Sequence, residues 1–237
     1  LLILSDISDK SNKLAIEDLL KNYESKTIRP ANTYDNDICF WLYSSGSTGS
    51  PKGTLHIHKN LISTANTYAK EVLKIKEADI CFSAAKLFFA YGLGNALTFP
   101  MSVGATSILM SDRPTPDLVL SVIKKHNVTL FFGVPTLYAS IINSEPNPLN
   151  FKSLRLAISA GEALPAHLYE KWKLLTGTDV LDGIGSTEML HIFISNKVDE
   201  LIPGASGRPV SGYEARLIDD NGDIITDYDK IGELEIK

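Results

Sequence analysis

From residue 79 to residue 181, short apolar runs alternate with segments of helical periodicity. That alternation constrains the fold more than any other feature of the chain. Runs at 79–83, 105–110, 128–132, 154–159 and 179–181 read as strands. Segments 91–101, 116–126, 135–143 and 164–175 repeat apolar residues at helical spacing. A helix between two strands is the usual crossover of a parallel pair, and such helices cover the sheet's faces. The expected class is therefore α/β, a largely parallel sheet flanked by helices. With 44% hydrophobic residues among 237 and a net charge of −5, the chain can bury a sizeable core, and global disorder is excluded.

Around that centre, Leu14, Leu19, Leu20 and Tyr23 share helical spacing over 11–23, and a polar connector follows over 25–36. The run Ile38-Cys39-Phe40-Trp41-Leu42-Tyr43 lacks alternation, which predicts a strand buried on both faces in a parallel sheet. A further helix is expected over 61–73. After about residue 190 the pattern shifts to short strands at 192–195, 213–218, 224–225 and 231–236, with Asn221-Gly222 as a hairpin turn. The expected organisation is a helix and connector over 1–36, an α/β core over 37–190, and the start of a small C-terminal β subdomain over 191–237. The missing initiator Met and the strand-like last residues suggest a piece of a longer protein.

Composition removes several function classes. The pI of about 5.6 argues against a nucleic-acid partner, and no apolar run approaches the ~18 residues of a membrane span. Cys39 and Cys81 lie in apolar segments without zinc spacing, so both are expected as buried, reduced thiols in a cytoplasmic protein.

Chemistry is concentrated in four segments. Ser44-Ser45-Gly46-Ser47-Thr48-Gly49-Ser50-Pro51-Lys52-Gly53 combines glycines that let backbone approach an anion, hydroxyls that donate to phosphate oxygens, and the mobile charge of Lys52. It is not a Walker A loop, since Pro51 precedes Lys52 and Gly53 follows it. Lys86 to Asn95 is a glycine-punctuated aromatic stretch. Ser159-Ala160-Gly161-Glu162-Ala163-Leu164-Pro165 joins a strand to a helix. Asp182-Gly183-Ile184-Gly185-Ser186-Thr187-Glu188 follows another strand and ends on a carboxylate. Beside a triphosphate such a carboxylate is repulsive unless a cation bridges the two, which suggests Mg²⁺ at Glu188.

These motifs, in this order, resemble the adenylate-forming superfamily of acyl- and aryl-CoA ligases, luciferases and peptide-synthetase adenylation domains. The chain is most similar to the benzoate-CoA ligase branch, from about residue 37 to 237. Phe132-Gly133-Val134-Pro135-Thr136-Leu137-Tyr138 and Met189-Leu190-His191-Ile192-Phe193 add to the match. The resemblance implies part of the large N-terminal domain of such an enzyme. It implies that Ser45, Gly46, Ser47, Thr48, Gly49 and Lys52 hold the departing phosphates. Gly161, Glu162 and Ala163 would lie against adenine, with Asp182 accepting from its amino group. Gly183, Ile184, Gly185 and Ser186 would complete the nucleotide site. Thr187 would orient the α-phosphate. An aromatic residue often replaces Ile184 in the wider superfamily, whereas Ile184 agrees with the benzoate branch. Ala90, Tyr91, Gly92, Gly185 and His191 would form the aryl pocket. His191 is assigned to binding and not to general base work, because a carboxylic acid is already ionised near neutral pH.

The implied reaction has two steps. A carboxylate oxygen attacks the α-phosphorus of ATP, giving an acyl-adenylate and pyrophosphate. The CoA thiol then displaces AMP. Thr187, Glu188 and Lys52 are the implied catalytic residues, with ATP, Mg²⁺ and CoA required. The ribose-binding Asp, the Lys of the C-terminal domain and most of the family's N-terminal region are absent, so the missing parts of the same enzyme are expected partners. The alternatives are a ligase for another acid, such as a fatty acid, and a non-catalytic adenylate-binding module.

Overall fold

The computed structural model describes residues 4–5, 14–15, 21, 27, 29–44 and 50–237. The chain divides into two units, Leu1–Tyr34 and Asp35–Lys237. In the first, β1 (Leu4–Ser5) pairs in parallel with β2 (Leu14–Ala15). Leu14 is thus in a strand and not in the helix expected over 11–23. Leu19, Leu20 and Tyr23 lie outside the described residues.

The second unit opens with β3 (Ile38–Ser44) and β4 (Lys52–Ile57), an antiparallel pair that forms its own two-stranded sheet. This corrects the expectation of a doubly buried strand in the parallel sheet. Only Leu42 of β3 is buried, while Ile38, Trp41 and Tyr43 are 58%, 59% and 67% exposed. A short connection can return a strand only antiparallel, because parallel pairing needs a long crossover. Cys39 is accordingly half-buried, whereas Cys81 is buried as expected.

The main sheet has seven strands in the order β11-β10-β9-β8-β7-β5-β6. β5 (Ile80–Ser83), β6 (Thr106–Ile108), β7 (Leu130–Gly133), β8 (Leu156–Ala160) and β9 (Val180–Gly185) are parallel. β10 (Ile192–Ser195) and β11 (Arg208–Pro209) close one edge antiparallel. The sheet therefore continues past residue 190. The separate sheet begins only with β12 (Ala215–Ile218), which pairs with β13 (Glu233–Ile236). The Asn221-Gly222 turn lies between Ile218 and its bridge partner Ile224, with Gly222 at φ +87°. Asp219 accepts from the amides of Asn221 and Asp223, so these acidic residues build a turn. Among the described residues no cluster of three potential metal ligands occurs, and no helix is long and apolar enough to cross a membrane.

Side chains alternate between two cores, one on each face of the sheet. Leu130, Phe132, Leu156, Ile158 and Leu181 face one core, with Tyr68, Leu73 and Phe99. Phe82, Phe131, Ala157 and Val180 face the other, with Ile123, Tyr138 and Trp172. Helices cover both. α1 (His58–Thr64) continues as a π-helical stretch over Ala65–Val72. The expected helix over 91–101 is tripartite: α2 (Ala90–Leu93), a π-helical stretch over Gly94–Thr98, and α3 (Phe99–Val103).

α4 (Pro116–His126) and α5 (Pro135–Asn143) match their sequence-based ranges. For α4 the signals are local. Thr115 caps the amide of Leu118, Pro116 occupies the first turn, Lys124 to His126 face the negative end of the dipole, and Asn127 stops the helix at φ +51°. α6 (Ala166–Thr176) starts one residue after Pro165, which precedes the first turn, and stops at Gly177.

Candidate active site

Parallel strands carry their carboxyl ends to one edge, where open α/β sheets bind ligands. Here β5, β7, β8 and β9 end at Ser83, Gly133, Ala160 and Gly185. The segments that follow line a cleft of about 710 Å³. That volume suits a small-molecule site.

Ala90, Tyr91 and His191 form part of its wall. The Tyr91 hydroxyl donates to the carbonyls of Gly133 (3.3 Å) and Ile158 (3.2 Å). Those bonds fix the ring edge-on to Phe132 and leave it to act as an apolar wall. His191 is buried against Phe99, Tyr68 and Tyr91, and Asn95 Oδ1 lies 3.0 Å from its Nε2. Burial pulls its pKa down to about 3 against the opposing pull of the Tyr91 backbone, so the imidazole is neutral at physiological pH.

Gly161, Gly185, Ser186 and Thr187 also line the cleft, with Gly185 packed against the His191 backbone. Gly161 adopts φ +96°, a conformation L side chains avoid. The 186–190 turn is held by two bonds of its own and by one from His56. The Thr187 carbonyl accepts from His56 Nε2 at 2.9 Å and from the Leu190 amide at 3.2 Å. Ser186 Oγ accepts from the Met189 amide. With Nε2 donating, His56 Nδ1 is free to accept from Asn60 Nδ2 at 3.3 Å. His56 is buried, and desolvation lowers its pKa despite the Thr187 carbonyl and Glu188.

Glu188 is exposed on this turn and accepts from Ser44 Oγ at 3.4 Å. Its own backbone amide, then Ser186, Ser44 and the charge of Lys52, hold its carboxyl below the usual range. Lys52 opens β4 opposite Ser44, so the β3–β4 hairpin brings Ser44 and Lys52 to Glu188. An ionised, accessible carboxylate fits Mg²⁺, which takes one or two carboxylates and completes its shell with phosphate and water oxygens. Ser45, Gly46, Ser47, Thr48 and Gly49 lie outside the described residues.

The remaining expected residues divide by position. Glu162 and Ala163 are exposed in the loop after β8, next to Gly161. Asp182 is buried in β9, where Ser206 Oγ donates to Oδ2 at 3.0 Å. Burial raises its pKa, against hydrogen bonds from Ser206, the Leu164 and Gly183 amides and Ser159. Ile184 is 38% exposed on the same strand. Gly183 does not line the cleft. A Cβ there would lie 2.8 Å from Ile192 Cγ2 and 2.9 Å from the Ile194 carbonyl, so the β9–β10 pairing requires this glycine. Gly92 is likewise outside the lining, and a Cβ there would lie 2.1 Å from the Lys86 carbonyl. Its bare backbone lets α2 pack on the 85–86 segment.

Sequence reasoning assigned no role to His56, Asn95 or Lys86. Lys86 lines the cleft, and its ammonium donates to the carbonyls of Met110, Ser111 and Asp112, tying two loops of the rim together. Lys86 and Asn95 bound the aromatic stretch and His56 lies in no marked pattern, but the role of each depends on a partner distant in sequence.

The site and sheet together define an adenylate-forming fold, and the chain belongs to the family of AMP-binding enzymes, which matches residues 2–237. Among characterised relatives, it is 54% identical over 213 residues to the benzoate–CoA ligase of Thauera aromatica, covering 90% of this chain and 40% of that protein. It is 47% identical to a 4-hydroxybenzoate–CoA/benzoate–CoA ligase of Rhodopseudomonas palustris, covering 86% and 38%. A crystal structure of a benzoate CoA ligase from Burkholderia xenovorans superposes with a TM-score of 0.89 at 46% identity, covering 100% of this chain and 46% of that one. An anthranilate CoA ligase solved with anthranoyl-AMP gives a TM-score of 0.92 at 40% identity, covering 98% and 45%. The chain thus spans less than half the length of these relatives.

Proposed function

We propose that this chain forms the adenylation site of an AMP-forming aryl-CoA ligase of the cytoplasm, with benzoate or a simple substituted benzoate as the acid. The observation that carries the reading is the mixed lining of the cleft. Its lining joins an apolar wall, Ala90, Tyr91 and a neutral His191, to the hydroxyl-bearing Ser186 and Thr187, with the Glu188 carboxylate next in sequence. A benzoyl-adenylate likewise combines an apolar ring with a phosphate.

In this reading the acid's carboxylate attacks the α-phosphorus of ATP and pyrophosphate leaves. The CoA thiol then attacks the carbonyl carbon and AMP leaves. Thr187 donates to the α-phosphate from a turn pinned by His56. Gly161, Glu162 and Ala163 present backbone to the base. Lys52 and the 45–49 segment hold the leaving phosphates. Glu188 would hold Mg²⁺, which supplies neutralisation of phosphate charge. Catalysis is positioning and charge stabilisation, with no covalent work by the protein.

The test supplies ATP, Mg²⁺ and either benzoate or hexanoate to the intact polypeptide that carries this chain, with and without CoA. Benzoate-dependent release of pyrophosphate and AMP is expected. Preference for hexanoate would move the acid to the fatty class, and release of ADP would overturn adenylation.

A further inference from the structure

We propose that Gly94 and Asn95 are positioning residues for His191, and that through it they set the width of the ring end of the cleft. The proposal rests on the aryl-acid reading above. Gly94 leaves the space that the imidazole fills. A Cβ at Gly94 would lie 2.4 Å from His191 Cδ2, 2.8 Å from its Nε2 and 3.0 Å from Phe99 Cζ. Asn95, fully buried, holds the ring in plane through the 3.0 Å contact between Oδ1 and Nε2. Phe99 meets the imidazole edge-on at 4.5 Å, and Tyr68 lies at 5.1 Å.

The backbone around the imidazole is specialised. The two π-helical stretches converge on this ring, Ala65–Val72 carrying Tyr68 and Gly94–Thr98 carrying Gly94 and Asn95. Such stretches are uncommon and concentrate at functional sites. On the opposite side His191 follows Leu190, a buried non-glycine residue at φ +66°. Strain of that kind persists only where the surroundings over-determine it. With Gly94, Asn95, Tyr68 and Phe99 packed behind the imidazole, displacement leads into the cleft, whose wall it shares with Tyr91. A neutral ring is consistent with this wall role.

The experiment uses the intact polypeptide with Gly94→Ala and Asn95→Leu. It reads kcat and KM for benzoate, for a bulkier ring-substituted benzoate and for ATP, together with the ¹⁵N signals of the His191 ring. Gly94→Ala is expected to raise the benzoate KM about 10–100-fold, the scale of a displacement near 1 Å, with a larger loss for the substituted acid and the ATP KM unchanged. Asn95→Leu removes the acceptor opposite Nε2 and is expected to shift the His191 ring-nitrogen signals. If Gly94→Ala fails to fold, Asn95→Leu and Asn95→Ser still decide the matter through those signals. Equal losses for benzoate and ATP, an unchanged benzoate KM, or unaltered ring-nitrogen signals would overturn the proposal. A wild type that turns over no aromatic acid would sink the functional reading instead, while the nitrogen spectrum would still report on the positioning.

Discussion

Replacing Arg155 by Met attacks the edge of the sheet opposite the cleft. Asp79, Thr129 and Arg155 stand immediately before β5, β7 and β8. Arg155 Nε and Nη2 each donate to a different oxygen of the buried Asp79 carboxylate at 2.7 Å. The Thr129 hydroxyl and the Lys76 amide donate to the same carboxylate at 2.8 Å. The guanidinium also donates to the carbonyls of Leu73 and Lys74, where the helix bearing Tyr68 ends. Removing it leaves a buried carboxylate without its cation. That costs about 3 kcal/mol, the low end for a broken buried pair, because the Arg155 side chain is 36% exposed. With a urea slope near the upper value for small proteins, the midpoint falls by about 1 M. The pH dependence follows from opposed effects on Asp79. Burial raises its pKa, but Arg155, Thr129 and the Lys76 amide outweigh burial and leave it lowered. In the wild type this carboxylate contributes stability above its unfolded pKa of about 3.9, and the contribution disappears as pH falls through the lower folded value. In Arg155→Met, burial prevails and the folded pKa rises above the unfolded one. The penalty is then full at pH 7 and shrinks as pH falls toward about 4. Urea unfolding of both proteins at pH 7 and pH 4 measures it. A loss under about 1 kcal/mol at pH 7, or one that does not narrow at pH 4, would refute the clamp.

Three further outcomes are expected. Trp172→Ala should cost about 3–5 kcal/mol in urea unfolding, since the fully buried indole packs on Phe131, Tyr138 and Phe151. Alkylation of the native protein at pH 8 should modify Cys39 and spare Cys81, whose thiol is pushed up to about 12, chiefly by burial, and mass spectrometry of the peptides reads the ratio. Thr187→Val should lower kcat for benzoate-dependent pyrophosphate release about 10²–10³-fold with little change in folding, the usual effect of losing one donor to developing charge.

Helices α4 and α5 were legible in the sequence because their signals are local. Proline in the first turn, charge matched to the dipole, and the Thr115 and Asn127 stops of α4 act within a few residues. Strand-helix alternation likewise determined the parallel sheet, since crossovers leave few other arrangements. The chemical segments were legible as residue types in order, with Gly161, Thr187 and Glu188 each read in a segment at the end of a strand. Tertiary structure decided what periodicity cannot express. An apolar run carries no record of what covers its faces, so β3 could belong equally to a buried strand or to a hairpin whose outer face is open. Strand order and the antiparallel edge of β10 and β11 depend on pairing between distant segments. The contact of Asn95 with His191 spans 96 residues, and that of His56 with Thr187 spans 131. A glycine in the sequence states only that no side chain is present. The folded chain assigns the space at Gly183 to a neighbouring strand, at Gly92 to a backbone carbonyl, and at Gly94 to the imidazole of His191, because packing alone determines which atoms meet there.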